Sequence, residues 1–264
     1  MGRARRRRQN RARTSHRPTR YVRFMLRTRA AILGLVPIIA IVLVTRQTLA
    51  EAYRIPSGSM EPTLLVGDWL FVNKLRFGPH VPFTHASLPG YAEPKRNDVV
   101  VFESPPQDPA IRITPTEVPP ALVKRIIGMP GDTVMMRRGE LTVNGIVVPR
   151  RNTAVILPDS MTDPRHALFA WQHRIEVSGS RFGAPPSAPT VHDWGPLVVP
   201  PRTFFMIGDN RDDSVDSRYY GPVPRENIRG APMFVYYSYD TEKDEDYIRA
   251  VTAIRWRRLG TWIR

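Results

Sequence analysis

Two residues of this sequence, Ser59 and Lys124, are candidates for a nucleophile and its base. Ser59 lies in the segment Ile55-Pro-Ser-Gly-Ser-Met-Glu-Pro-Thr63, where two prolines and a glycine favour a tight, exposed corner over a helix. A serine hydroxyl is a weak nucleophile at neutral pH and needs a base within hydrogen-bonding reach. Ser59 can therefore act only if the fold brings a base to it.

Lys124 is the candidate base because it lies inside the apolar segment Ala121–Ile127. Strand alternation places Lys124 on one face with Leu122 and Ile126 and places Arg125 on the other, and the sequence leaves open which face is inward. If Lys124 faces inward, burial lowers its pKa and yields a neutral amine that accepts a proton. The six histidines show no spacing that indicates a catalytic triad or a metal site.

A third polar segment, Gly208–Gly221, directly follows the apolar run Thr203–Ile207. Its acids, amide, arginines and hydroxyls suit a hydrogen-bonded network that orients a buried group. An ordinary surface loop can have the same composition, so the segment alone does not define a site.

Short strands are expected to position these residues. Residues that favour strands occur in Asp68–Asn73, Asp98–Phe102, Ala121–Ile127, Thr133–Met136, Leu141–Val143, Ile146–Val148, Thr203–Ile207 and Met233–Tyr237. Asn144-Gly145 is a typical two-residue hairpin turn. Together with 27 prolines, this pattern predicts a mainly β fold: an antiparallel, partly closed β domain over residues 51–264, with a smaller inserted β subdomain at about 149–201.

The net charge of +15 is concentrated at the N-terminus, since residues 1–29 hold twelve arginines and no acid. Such a tail suits contact with nucleic acid or anionic lipid. We favour lipid, and expect no nucleic-acid partner, because the uncharged apolar run Ala30–Val44 follows. Residues 30–50 are predicted to be a single transmembrane anchor with a cytoplasmic tail before it. A signal peptide cleaved near Ala52 and a buried core helix are the alternatives.

Three motifs, in this order and behind an apolar segment, resemble those of the bacterial type I signal peptidases. They are Ile55-Pro-Ser-Gly-Ser-Met-Glu-Pro-Thr63, Val123-Lys-Arg-Ile-Ile-Gly-Met-Pro-Gly-Asp132 and Gly208-Asp-Asn-Arg-Asp-Asp-Ser-Val-Asp-Ser-Arg218. The resemblance spans about residues 30–240. It implies a membrane-anchored serine endopeptidase of the bacterial cytoplasmic membrane that removes signal peptides from exported preproteins after Ala-x-Ala, with no metal or cofactor.

The resemblance also implies roles for individual residues. Ser59 would be the nucleophile and Lys124 the general base, while the Ser57 hydroxyl would join the Ser59 backbone amide in binding the oxyanion. Ser214 would orient the lysine amine. Supporting roles would fall to Asp209, Asn210, Asp216 and Arg218, the last two as an ion pair. The substrate would bind in an extended conformation along Tyr53, Ile55, Pro56, Ala121, Leu122 and Val123.

Two other functions are compatible with parts of this sequence. A self-cleaving serine–lysine protease of the SOS repressor type shares the catalytic pair and core fold, but the apolar anchor argues against it. A non-enzymatic, membrane-tethered β domain with an arginine tail that binds nucleic acid or lipid is the alternative from another class. The expected partners are preprotein signal peptides and the lipid bilayer, and the oligomeric state is left open.

Overall fold

The computed structural model describes residues 34, 35, 37, 50–79, 88–105, 121–151, 164–177, 182–240 and 253–264. The chain divides into two units, Met1–Val44 and Thr45–Arg264, and the elements below belong to the second. The predicted tail, residues 1–29, lies outside the described residues, and so does nearly all of the predicted anchor, residues 30–50. Within the part of the chain that is described, no helix has the length and apolarity to cross a membrane.

The described residues form eleven strands in two antiparallel sheets. The strands are β1 (Ala50–Arg54), β2 (Asp68–Asn73), β3 (Val99–Glu103), β4 (Ala121–Gly128), β5 (Thr133–Arg137), β6 (Glu140–Val143), β7 (Ile146–Val147), β8 (Trp194–Val198), β9 (Thr203–Ile207), β10 (Val223–Pro224) and β11 (Ile228–Ser238). A seven-stranded sheet has the order β1-β2-β11-β3-β4-β9-β10, and a four-stranded sheet has the order β7-β6-β5-β8. The predicted mainly β, antiparallel fold is confirmed.

Strand β4 lies inside the seven-stranded sheet, between β3 and β9. Lys124 is opposite Val100 of β3, and Arg125 is opposite Ile207 of β9. Both faces of β4 are buried in its second half, and Lys124 and Arg125 are both buried there. Strand alternation would leave one of these two residues facing outward, but neither of them does.

The two sheets pack closely where β4 ends. Gly128 closes β4, and a Cβ atom there would lie 2.8 Å from Cγ1 of Val134 and 2.9 Å from Cγ2 of Val199. The apolar cluster at this junction includes Ile127, Val134 and Phe205, which come from β4, β5 and β9. Since real Cβ atoms do not approach other atoms so closely, glycine is what permits this packing.

Every strand predicted from the sequence is present to within a few residues, and Asn144 and Gly145 form the predicted turn with φ of 53° and 83°. Strands β1, β8 and β10 were not predicted. Strand β8 reads Trp-Gly-Pro-Leu-Val, and glycine and proline are depleted in strands, which hid it. It pairs with β5, so the described part of the insertion 149–201 extends the second sheet. The limits of the tail, anchor and inserted subdomain stay predictions.

Candidate active site

The corner predicted around Ser59 is a single turn of 3₁₀ helix, Gly58–Met60, preceded by Ser57 in an extended conformation. The buried side chain of Met60 anchors this turn in the core. The Ser59 carbonyl oxygen accepts a hydrogen bond from the backbone N–H of Asn210 over 3.1 Å. The corner is thus fixed at one side by the core and at the other by the loop that follows β9.

Ser59 and Lys124 are in direct contact although 65 positions separate them in sequence. Lys124 Nζ lies 2.5 Å from Ser59 Oγ, and the Lys124 residue is only 3% exposed. Burial is the largest influence on this amine and lowers its pKa to about 8, although the Asp216 carboxylate opposes the change. In its neutral form the amine can accept the serine proton across this contact.

Asp216 and Arg218 form the predicted ion pair, and both side chains are completely buried. Arg218 donates from Nε and Nη2 to the two carboxylate oxygens, each over 2.8 Å, and the Gly208 N–H donates to the same carboxylate over 3.1 Å. Burial alone would raise the pKa of Asp216, but the Arg218 guanidinium holds it below the ordinary value. The Asp216 carboxylate therefore holds the two ends of this loop, Gly208 and Arg218, close together.

Asp209 forms an ion pair with Arg125, for which no role was predicted from the sequence. Arg125 donates from Nε and Nη2 to the Asp209 carboxylate, each over 2.7 Å, with both side chains buried. Thr63 Oγ1 donates to the same carboxylate over 2.5 Å. Because Arg125 follows Lys124 in β4, this contact ties the loop to the lysine strand. The position of an arginine inside an apolar strand could have indicated, from the sequence, that Arg125 has a buried partner.

Ser214 lies beside the corner but does not make the predicted bond to Lys124. Its hydroxyl is buried and has no hydrogen-bond partner among the described residues. A Cβ atom on Gly208 would lie 2.3 Å from Ser214 Oγ and 2.4 Å from the Ser59 carbonyl oxygen, so both residues press against this glycine. Ser214 and Ser59 thus both lie against the backbone of Gly208. Any residue with a side chain at position 208 would prevent this close approach.

Ser57, the predicted oxyanion donor, and Asn210, a predicted supporting residue, also lie at the corner. Ser57 Oγ is 3.4 Å from Ser59 Oγ, which is a long contact between exposed groups. Asn210 uses its side chain as well as its backbone, because Nδ2 donates to the Gly58 carbonyl oxygen over 3.3 Å. Asn210 therefore holds the turn that carries Ser59.

The predicted substrate-binding residues divide into groups. Tyr53, Ile55 and Val123 contact one apolar cluster, whereas Leu122 belongs to another. Pro56 and Ala121 are exposed. In the described residues β1 pairs only with β2, and β9 pairs with β4 only from Arg125 onward. Both predicted segments therefore keep a strand edge that no described strand covers.

No metal-binding cluster of three or more His, Asp or Glu side chains occurs in the described part of the chain. The absence of a metal or cofactor stays a prediction from the resemblance.

Comparison with known proteins gives the class of this molecule. The family model described as "Signal peptidase, peptidase S26" matches residues 28–237. The chain is thus a peptidase, which excludes the non-enzymatic β domain. It belongs to the signal peptidase family, peptidase S26, and its substrates are preproteins that carry signal peptides.

Two curated relatives agree with this assignment. Signal peptidase I of Pseudomonas fluorescens is 36% identical over 221 residues, which cover 78% of this chain and 72% of the relative. Signal peptidase I of Aquifex aeolicus is 33% identical over 238 residues, covering 80% of this chain and 84% of the relative. A crystal structure of a signal peptidase I from Enterococcus faecalis is 27% identical, covers 53% of this chain and 96% of that chain, and has a TM-score of 0.31.

Replacing Asp216 by asparagine is expected to lower the free energy of unfolding by about 3–5 kcal/mol, because Arg218 would be left buried without its anion. Denaturant unfolding followed by circular dichroism measures this change. The matched control is Asp193→Asn, since Asp193 is 44% exposed in its pair with Arg137, and a loss below about 1 kcal/mol is expected there. Equal losses in the two variants would contradict the structural role of the buried pair.

The same pair predicts the sign of a pH dependence. The pKa of Asp216 is lower in the folded protein than its ordinary value, so the pair stabilises the fold at neutral pH and this contribution is lost as the pH falls through the folded pKa. Asp216→Asn should therefore lose more stability at pH 7 than in strong acid.

Proposed function

We propose that this chain is a membrane-anchored serine endopeptidase that cleaves signal peptides from exported preproteins after small residues, with Ser59 as nucleophile and Lys124 as general base. The contact of 2.5 Å between Lys124 Nζ and Ser59 Oγ carries this proposal. Family membership supplies the reaction, and the contact supports Ser59 and Lys124 as the nucleophile and base that perform it.

The reaction begins with Lys124 in its neutral form. Its amine takes the Ser59 proton as Ser59 Oγ attacks the scissile carbonyl carbon, and the resulting ammonium gives that proton to the departing amine nitrogen. The signal peptide is then held as an ester on Ser59. Lys124, neutral again, takes a proton from water, whose oxygen attacks the ester and releases the carboxylate. The proton returns to Ser59, and the enzyme is regenerated.

Negative charge on the substrate oxygen requires hydrogen-bond donors at the corner. The Ser59 backbone N–H and the Ser57 hydroxyl are the proposed donors, and donors of this kind typically contribute about 3–4 kcal/mol each. The distance of 3.4 Å between Ser57 Oγ and Ser59 Oγ supports this assignment, because it puts the Ser57 hydroxyl next to the attacking oxygen.

Other loop residues are proposed to support the pair. Ser214 keeps a buried hydroxyl without a hydrogen-bond partner in the described residues, and we assign it as a second contact for the Lys124 amine during the reaction. The proposed supporting residues Asp209, Asn210, Asp216 and Arg218 act by holding the corner and β4 in place through the contacts described above.

The substrate is proposed to bind as an added strand. The uncovered edges of β1 and the first half of β4 offer backbone groups to an extended peptide, which is the usual mode of strand addition. Tyr53, Ile55 and Val123 supply an apolar surface there. In an extended chain the first and third residues before the cut point to the same side. Small side chains at both positions, as in Ala-x-Ala, would fit against this surface.

Residues 1–29 are proposed to be a cytoplasmic tail and residues 30–50 a transmembrane anchor. The catalytic domain would then lie on the extracytoplasmic side of the cytoplasmic membrane. Exposed aromatic side chains on the catalytic domain support contact with lipid. Phe71 stacks on Phe234 with ring centroids 5.9 Å apart, and Phe234 contacts Trp262, which is 66% exposed. Aromatic residues are enriched at membrane interfaces. Attachment of enzyme and substrate to one bilayer raises their effective concentration.

Mass spectrometry of the products tests the reaction. Purified full-length protein in detergent, mixed with a preprotein that carries Ala-x-Ala, is expected to cut after the second alanine. Ser59→Ala and Lys124→Met should each reduce the rate by at least about a thousandfold, while Lys95→Met, at an exposed position outside the site, should not. An intact substrate with the wild type under several lipid conditions would overturn the proposal.

The pH profile tests the role of Lys124. Its pKa of about 8 means that the protonated form predominates at pH 7, so kcat/KM is expected to rise about tenfold from pH 6 to pH 7 and to level off above pH 8. A rate that is constant between pH 6 and pH 8 would exclude Lys124 as the base, provided that circular dichroism shows a folded protein throughout.

Fluorescence quenching tests the lipid contact. With the full chain reconstituted into vesicles that contain brominated acyl chains, lipid should quench part of the tryptophan emission. Trp262→Phe is expected to remove a large share of the quenched emission, whereas Trp194→Phe should remove none because Trp194 is fully buried. Quenching that is unchanged in Trp262→Phe would show that this aromatic surface faces water.

A further inference from the structure

A cavity of about 180 Å³ lies on the face of β4 that carries Arg125 and Ile127. Its lining residues are Asn97, Arg125, Ile127, Val148, Pro149, Arg151 and Arg211. Three of these described lining residues are arginines and none is an acid. Strand alternation puts Lys124 on the opposite face, so this cavity is separate from the contact between Lys124 and Ser59.

Arg211 is the unusual member of this lining. It is 2% exposed, and its Nε and Nη1 atoms are buried without a hydrogen-bond partner among the described residues. A buried guanidinium normally requires hydrogen bonds and a counter-ion, because an unpaired buried charge is strongly unfavourable. In the described part of the chain, no side chain forms a hydrogen bond with these two Arg211 atoms.

The nearby buried acids do not supply the missing charge. Asp209 is held by two hydrogen bonds from Arg125, and Asp216 is held by two from Arg218. Burial, followed by repulsion from Arg218, lowers the pKa of Arg211 to about 10, which still leaves it protonated at neutral pH. Of the buried arginines Arg125, Arg218 and Arg211, the first two each bind a carboxylate directly, and Arg211 binds none among the described residues.

We propose that the cavity binds a small phosphate-type oxyanion, with Arg211 as its principal ligand and Arg151 and Asn97 at its other sides. The planar guanidinium presents several donors in an arrangement that matches an oxyanion. Ile127, Val148 and Pro149 line the remainder of the cavity, and an apolar lining strengthens the attraction between opposite charges. Arg151 is exposed, which gives the cavity a charged rim. Free inorganic phosphate and an anionic phospholipid headgroup offer the same chemistry.

Binding there would act on the loop that holds the catalytic corner. The Arg211 carbonyl oxygen accepts a hydrogen bond from Arg218 Nη1 over 2.7 Å, and the preceding residue, Asn210, binds the Ser59 carbonyl oxygen. An anion on the Arg211 side chain would neutralise the unpaired charge in this loop. Occupancy is therefore expected to stabilise the loop, which makes Arg211 a positioning residue.

Thermal unfolding of full-length Ser59→Ala in a nonionic detergent tests the proposal without depending on peptidase activity. At constant ionic strength, replacing chloride by inorganic phosphate should raise the melting temperature in a saturable way. Adding Arg211→Met should weaken the apparent phosphate affinity by at least about tenfold, because it removes charge-assisted hydrogen bonds. Without phosphate this variant should melt no lower than its parent, since it removes an unpaired buried charge.

Arg174→Gln is the matched control, because Arg174 is exposed and is not part of the cavity lining. It should keep the full phosphate response. If Arg211→Met does not fold, Arg151→Gln replaces it, and a weaker phosphate affinity is expected there too. A phosphate response of equal size in the Arg211 or Arg151 variant and in the control would overturn the proposal.

Lipid vesicles distinguish the two sources of the anion. Phosphatidylglycerol is compared with phosphatidylcholine, each with and without inorganic phosphate. A saturable effect of phosphate alone identifies a free anion, and an effect of phosphatidylglycerol that requires Arg211 but is absent with phosphate identifies a headgroup. If neither phosphate nor phosphatidylglycerol raises the melting temperature, the cavity is not an oxyanion site.

Discussion

The site depends on a lysine amine held out of water beside a serine hydroxyl. Burial is the largest influence on the pKa of Lys124, which lies in the part of β4 that is buried on both faces. Three carboxylates, those of Asp216, Asp213 and Asp209, raise this pKa and the Arg218 guanidinium lowers it, but burial outweighs the charges. A polar network can therefore lie next to the lysine without restoring its usual basicity.

Two buried ion pairs hold the loop that contacts the corner around Ser59. The pair of Asp216 with Arg218 closes the loop after β9, and the pair of Asp209 with Arg125 fastens that loop to the lysine strand. Such pairs contribute little net stability compared with apolar residues, yet removing one partner is costly. Their value here is geometric, because they fix the loop whose Asn210 backbone binds Ser59.

Much of the fold could be predicted because strand formation is signalled locally. Alternating apolar residues, strand-forming side chains and the Asn144-Gly145 turn were sufficient for eight strands. Strand β8 escaped prediction because it contains glycine and proline, and its burial against β5 outweighs their low propensity. The site segments were also recognisable from their residue types, which is why Ser59 and Lys124 could be named before their contact was known.

The sequence by itself determined the strands, the motifs and the candidate nucleophile and base, because each of these is written in neighbouring residues. Only the tertiary structure decided that Arg125 is buried against Asp209, which is 84 positions away, and that Ser214 lacks a bond to Lys124. It also decided that Nε and Nη1 of Arg211 are buried without a hydrogen-bond partner among the described residues. The physical reason is that ion pairing and burial depend on which strands become neighbours. That order is set by the packing of the whole domain and not by any local pattern.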